Sequence, residues 1–116
     1  MILPKRWYIY TIDLEPGVGT KPGKQRPCLA IQAKEFSENG LKSTVVLPLT
    51  SQVIVGDAFP LRVHIPQGVA GLKRASDVLI DQILAWDNVL FRQELGLLPD
   101  TFIETVKTAL RDFLDI

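Results

Sequence analysis

Arg26 closes the stretch Pro16-Gly17-Val18-Gly19-Thr20-Lys21-Pro22-Gly23-Lys24-Gln25-Arg26-Pro27, where an irregular segment meets an apolar run. A guanidinium anchored at such a junction suits a phosphate or a carboxylate, because its planar fork offers two parallel charge-assisted hydrogen bonds. Two further groups carry reactive side chains. Thr50-Ser51-Gln52 follows an alternating run, and Asp81-Gln82 lies inside an apolar one. On a strand, Asp81 shares its face with Leu79 and Ile83. A carboxylate among apolar neighbours must be paired, or its pKa rises. Read from residue types alone, Asp81 serves equally as a structural partner for an arginine or a loop amide, and Arg26 as a surface ion pair. Spacing and composition thus lead as far as a small β-rich domain with an anion site.

The elements that must position these groups follow from periodicity. Three glycines and three prolines within 16–27 exclude a helix or a strand interior there, so a long loop carrying Lys21 and Lys24 is expected, mobile until a ligand orders it. The patterning predicts strands over 7–14, 27–33, 43–50, 61–65 and 78–85. Within 43–50, Val45, Leu47 and Leu49 alternate with Thr44, Val46, Pro48 and Thr50. A turn cluster is expected over 36–42, where Ser37, Asn39 and Gly40 gather. The period then changes. Phe102, Ile103, Val106, Ala109, Leu110, Phe113 and Leu114 recur at helical spacing, which predicts one amphipathic helix over 100–114. Thr101 and Glu104 stand at capping-box spacing near its start. Strands followed by a single helix argue for a mainly β fold with α, a small barrel or curled sheet. Arg26 and Thr50 each stand at a strand terminus, where a curled sheet can bring them together.

Composition bounds the reading. The chain has 116 residues, the length of a single domain. Its 13 basic and 13 acidic side chains cancel, so no global cationic signal points to nucleic acid. The distribution is uneven, however. Up to residue 34 the charges are Lys5, Arg6, Lys21, Lys24, Arg26 and Lys34 against Asp13 and Glu15, which favours an anionic ligand on the loop side. Cys28 is the only cysteine, so neither an internal disulfide nor a cysteine metal site can form, and a reducing, cytoplasmic setting is expected. Its position after Pro27 reads as a small core residue. No segment reaches the roughly 18 apolar residues of a membrane span, and the N-terminus does not read as a signal peptide. Gly17, Gly19 and Gly23 precede a strand rather than a helix, unlike a nucleotide phosphate loop. The only histidine is His64, which shares a strand face with Arg62 and reads as part of a solvated polar face.

The order of these blocks carries more. Ile9-Tyr10-Thr11-Ile12-Asp13-Leu14-Glu15-Pro16, then Val18-Gly19 and Arg26-Pro27, resembles the opening of the MazF/PemK (Kid) toxin family. Val45-Val46-Leu47-Pro48-Leu49-Thr50-Ser51 is similar to the family's next block, and Ile80-Asp81-Gln82-Ile83 followed by Asp87 to its last. The resemblance runs from about Arg6 to Leu90 and loosely into the final helix. It implies an SH3-like or CcdB-like β-barrel with a C-terminal helix, spanning 1–116 as one toxin domain and usually forming a homodimer. The implied activity is sequence-specific cleavage of single-stranded RNA, with no metal or other cofactor. The implied partner is a cognate antitoxin whose C-terminal segment lies across the RNA groove.

By the same resemblance, Arg26 and Thr50 are the catalytic pair, and Gly17, Thr20, Lys21, Lys24, Gln25, Ser51, Asp81 and Gln82 are expected to contact RNA. Their chemistry is coherent. The ribose 2′-hydroxyl is the nucleophile, a guanidinium neutralises charge on the phosphate oxygens, and a threonine hydroxyl adds a hydrogen bond. The products would be a 2′,3′-cyclic phosphate and a 5′-hydroxyl. Two other readings share the fold: a CcdB-like gyrase poison without enzymatic activity, and a decayed homologue that still binds RNA or antitoxin. The first depends on C-terminal residues, and the chain's Arg111-Asp112-Phe113-Leu114-Asp115-Ile116 lacks a Trp-containing end. The second rests on Leu84, where many family members carry arginine.

Overall fold

The structure is a computed structural model that describes residues 2–15 and 24–116. Its strands are β1 (Tyr8–Glu15), β2 (Lys24–Ala30), β3 (Ser43–Thr50), β4 (Arg62–Ile65), β5 (Ser76–Leu79), β6 (Leu84–Asp87) and β7 (Phe91–Leu97), with helices α1 (Lys34–Glu38) and α2 (Asp100–Leu114). They form one seven-stranded antiparallel sheet in the order β4-β5-β3-β2-β1-β7, with β6 added to β3. Among the described residues, terminal strands β4 and β7 do not pair, so the sheet is not closed into the expected barrel.

The central strands are apolar on both faces because each face has its own core. On one side Ile9, Leu29, Leu47 and Leu49 pack with Val63, Ile65 and Val78 under Ile103, Val106 and Ala109 of α2. On the other, Tyr10, Ile12, Cys28, Ala30 and Val46 pack with Phe91, whose ring meets that of Tyr10 edge-on at 5.5 Å. Burial pushes the Tyr10 phenol up to about 12, and the Cys28 thiol higher still, so Cys28 is the inert core residue its neighbours suggested.

β3 and α2 have the bounds that their periods predict. The helix starts differently from expectation, though. Pro99, extended at ψ 152°, occupies the N-cap position, and Thr101 is already inside the helix, where its carbonyl accepts from Thr105 Oγ1 at 3.0 Å. The 36–42 cluster supplies the end of a short helix rather than a turn alone. Asn39 Nδ2 donates to the Glu35 carbonyl at 2.8 Å, and Gly40 takes φ 96° to reverse the chain.

β2 is shifted toward the loop. It pairs Asp13 with Gln25 and Ile12 with Arg26, so Arg26 is a strand residue rather than a junction residue. The strand ends at Ala30 because the Gln32 side chain takes over the pairing, donating to the Ser43 carbonyl at 3.1 Å and accepting from the Val45 N–H at 3.2 Å.

The expected strand over 78–85 is two strands. β5 pairs with Leu49 and Thr50, β6 with 43–46, both along the same edge of β3. Between them the Gln82 N–H donates to the Leu79 carbonyl at 3.3 Å and closes a turn. Asp81 therefore stands in an exposed turn with Gln82, not on an apolar strand face. β7 carries Arg92, Gln93 and Glu94 outward on an edge strand, a composition that hides its strand character and blunts pairing with another chain.

Candidate active site

The pairing of β2 with β3 matches Ala30 with Val46, Leu29 with Leu47 and Cys28 with Pro48. Continued two residues outward, the same register sets Arg26 opposite Thr50. Thr50 in turn pairs with Asp77, and Asp77 with His64. Arg26 also pairs with Ile12 on its other side. A single cross-strand row thus runs Ile12, Arg26, Thr50, Asp77, His64. Residues directly opposite one another in a sheet project to the same face. Arg26, Thr50, Asp77 and His64 therefore share the face of the Tyr10–Phe91 core, away from α2.

Arg26 is exposed and lines a groove of about 370 Å³ with Gln25, Pro27, Leu49, Ser51, Lys73, Arg74 and Ser76. Three cationic side chains converge there in a chain of zero net charge, which concentrates positive potential at one place. Thr50, between the groove-lining Leu49 and Ser51 in the chain, is half-buried, and its Oγ1 accepts from the Gln52 N–H at 3.1 Å. That bond folds the chain after β3 into a tight turn. It also points the Gln52 carbonyl at Arg62, whose Nη1 donates to it at 3.0 Å.

The buried carboxylate of the molecule's polar face is Asp77, four residues before the one expected. Its Oδ2 accepts from Arg62 Nη1 at 3.1 Å and from the Ile54 N–H at 3.2 Å, while Oδ1 meets His64 Nδ1 at 2.9 Å. Burial alone would raise its pKa. Hydrogen bonds from His64, Arg62 and the Ile54 amide outweigh that and hold it below the ordinary carboxyl value. An ionised carboxylate only accepts, so Nδ1 carries the proton toward Asp77. The network Thr50–Gln52–Arg62–Asp77–His64 ties the β3–β4 segment to the end of the row. Arg62 and His64 are thus more than a solvated face.

The structure brings Gln25, Arg26 and Ser51 together around the groove, with Thr50 beside them. Asp81 and Gln82 are exposed in the β5–β6 turn and do not line it. Gly17, Thr20 and Lys21 lie outside the described residues, as does the Lys24 side chain, and with them the expected mobility of that loop. Lys73, Arg74 and Asp77 escaped the sequence reading. Asp77 left a signal, since Arg62 and His64 alternate on one strand face and demand an acid opposite.

Comparison with known proteins identifies the family. A family model described as PemK-like, MazF-like toxin of type II toxin–antitoxin system matches residues 5–114. Endoribonuclease MazF6 of Mycobacterium tuberculosis is 30% identical over 108 residues, covering 93% of this chain and 94% of that protein. Endoribonuclease EndoA of Bacillus subtilis is 29% identical over 110 residues, covering 95% and 93%. Among solved structures, a MazE–MazF structure from Deinococcus radiodurans superposes with a TM-score of 0.77 at 20% identity, covering 100% of this chain and 99% of the other. The toxin MazF-mt6 of Mycobacterium tuberculosis gives 0.75 at 20% identity, covering 94% and 97%. The sequence match spans every strand of the sheet and the terminal helix, and the chain belongs to the PemK-like, MazF-like toxins of type II toxin–antitoxin systems.

Proposed function

We propose that this protein is the toxin of a toxin–antitoxin pair and acts as an endoribonuclease on single-stranded RNA, with Arg26 and Thr50 at the scissile phosphate. The observation that carries the reading is the β2–β3 register, which, continued two residues past the Cys28–Pro48 pair, brings Arg26 to the level of Thr50 beside the cationic groove of Lys73 and Arg74. The 2′-oxygen bonds to phosphorus and the bond from phosphorus to the 5′-oxygen breaks. Arg26 neutralises the charge that develops on the phosphate oxygens, and the Thr50 hydroxyl donates to one of them. Lys73 and Arg74 hold adjoining phosphates, with Ser51 and Gln25 on the groove wall. Asp81 and Gln82 in their exposed turn, and Gly17, Thr20, Lys21 and Lys24 in the loop, extend the contact with RNA. The chemistry uses the substrate's own nucleophile and calls for no cofactor.

β5 and β6 share one edge of β3, which supports a sheet curled in the manner of an SH3-like or CcdB-like barrel. Among the described residues no helix is long and apolar enough to cross a membrane, and action on messenger RNA sets the protein in the cytoplasm. A second copy covers exposed apolar side chains beside the row, among them Val53, Ile54, Val55 and Leu61 of the β3–β4 segment. The solved relatives include a mycobacterial endoribonuclease in complex with its cognate antitoxin, and a cognate antitoxin here occupies the same groove as RNA. The gyrase-poison reading is not favoured, because the similar curated proteins are endoribonucleases.

The test is direct. Purified protein is incubated with a long single-stranded transcript in EDTA, and with gyrase and supercoiled DNA in parallel. Fragments bearing 5′-hydroxyl ends support the reading. Intact RNA with trapped gyrase–DNA complexes overturns it.

A further inference from the structure

Cleavage through the 2′-hydroxyl moves one proton off the attacking oxygen and delivers one to the departing 5′-oxygen. Neither member of the Arg26–Thr50 pair does this well. A guanidinium stays protonated at any working pH, and a threonine hydroxyl is a poor base. Histidine is the side chain that ordinarily changes charge between about pH 5 and 8, and this chain has one, His64.

His64 stands in the same cross-strand row, two rungs from Thr50 and on the same face. Each rung is about 4.5–5.5 Å between Cα atoms, so the two residues are about 10 Å apart. A ribose and its phosphate fill such a span, with Thr50 at one end and the imidazole at the other. The ring is half-exposed, while its orienting partner Asp77 is buried with a side chain only 3% exposed. Asp77 takes the Nδ1 proton at 2.9 Å. This fixes the neutral tautomer with its lone pair on Nε2, to which no hydrogen bond runs among the described residues. Beside the ring lies a second cavity of about 370 Å³, lined by Ile54, Gly56, Asp57, Ala58 and Arg62 together with His64 and Asp77.

We propose that His64 is a catalytic residue for RNA cleavage, its Nε2 accepting the 2′-hydroxyl proton, and that Asp77 is the positioning residue that orients the ring. The inference rests on the endoribonuclease reading above. The 2′-oxygen forms its bond to phosphorus as its proton passes to Nε2. The 5′-oxygen leaves and takes a proton from water, and the imidazolium returns its proton to solvent. The charged groups around the ring are Asp77 on β5, Arg62 on β4 itself and Asp57 in the β3–β4 segment. α2 packs on the opposite face of β4, against Val63 and Ile65, so its charges do not face the ring.

The cut site is first mapped on a long transcript in EDTA, and a short RNA containing it is then used in single-turnover kinetics. A general base contributes about 10²–10⁴-fold. His64→Gln is expected to slow cleavage at least about 100-fold at neutral pH and to abolish the acid limb expected of the wild-type pH–rate profile, with added imidazole restoring part of the rate. Asp77→Asn is expected to displace that acid limb while the protein stays folded. A folded His64→Gln protein with wild-type rate and pH profile overturns the proposal and leaves the endoribonuclease reading intact. Uncut RNA with wild type overturns both. Should His64→Gln fail to fold, the wild-type protein decides alone. The single imidazole is titrated by NMR with a 2′-deoxy analogue bound, and its midpoint must coincide with the kinetic limb. A mismatch overturns the proposal.

Discussion

Thr50 and Thr44 lie on one strand and one face, yet do opposite things. Thr50 is half-buried and its Oγ1 accepts a single backbone hydrogen bond, which leaves the hydroxyl proton available to donate. Thr44 is buried and donates to Asn88 Oδ1 at 2.6 Å, while Asn88 Nδ2 holds the Leu41 carbonyl. Thr50→Val is expected to slow cleavage by about two orders of magnitude, as for loss of one oxyanion donor, and to cost about 1 kcal/mol of stability through the lost turn hydrogen bond. Thr44→Val leaves an amide oxygen buried and unpaired, and is expected to cost about 1–3 kcal/mol of stability with cleavage kept. Rates and urea midpoints of both variants check the contrast. Asp77 makes a pH-dependent contribution. Its pKa is held below the ordinary carboxyl value in the folded protein, so its stabilisation is complete above that ordinary value and is lost as pH falls through the folded pKa. Asp77→Asn is therefore expected to lower stability by about 2 kcal/mol at neutral pH, with the gap from wild type closing as pH falls through the folded pKa. Thermal melts across that range measure it.

The elements show why part of the design was legible and part was not. β3 and α2 announce themselves, one by a bounded run of β-branched and apolar residues and the other by an apolar stripe at helical spacing. The 78–85 run lacks a glycine or proline, so nothing in its composition marks the turn that splits it between two ends of β3. That hidden turn moved the expected buried acid from Asp77 to Asp81. The family's motif order singles out Arg26 and Thr50, whereas Lys73 and Arg74 reach the groove only through the irregular segment before β5. That segment is clamped to β7. Gly71 has φ 75°, and a Cβ there would collide with the Leu95 backbone carbonyl. Gly71→Ala combines a disfavoured conformation with a backbone clash and is expected to cost about 3 kcal/mol. It should also weaken RNA binding, by displacing Lys73 and Arg74. Urea unfolding and filter binding test the two effects separately.

For the whole molecule, the polar row lies on the sheet face that α2 leaves uncovered, the cationic groove opens beside Arg26 at the same end of β3, and exposed Val53, Ile54 and Val55 belong to the segment that follows β3. A small domain gains from covering such a surface. Sedimentation at micromolar concentration is expected to show a dimer, and an antitoxin peptide at full occupancy to stop RNA cleavage. A monomer contradicts the assembly, and undiminished cleavage with the peptide bound contradicts the shared groove.

The central claim is that Arg26, opposite Thr50, acts on the phosphate of RNA. It is tested most directly by mapping 5′ ends on a long transcript treated in EDTA with wild type and with Arg26→Ala. An exposed arginine contributes little to folding, about 0–1 kcal/mol, whereas loss of its transition-state contacts removes about 3–4 kcal/mol of rate enhancement. Wild type is expected to cut at a recurring sequence and leave 5′-hydroxyl ends. Arg26→Ala, folded and melting like wild type, is expected to leave the same RNA intact. Equal cutting by the two proteins at the same sites would contradict the account.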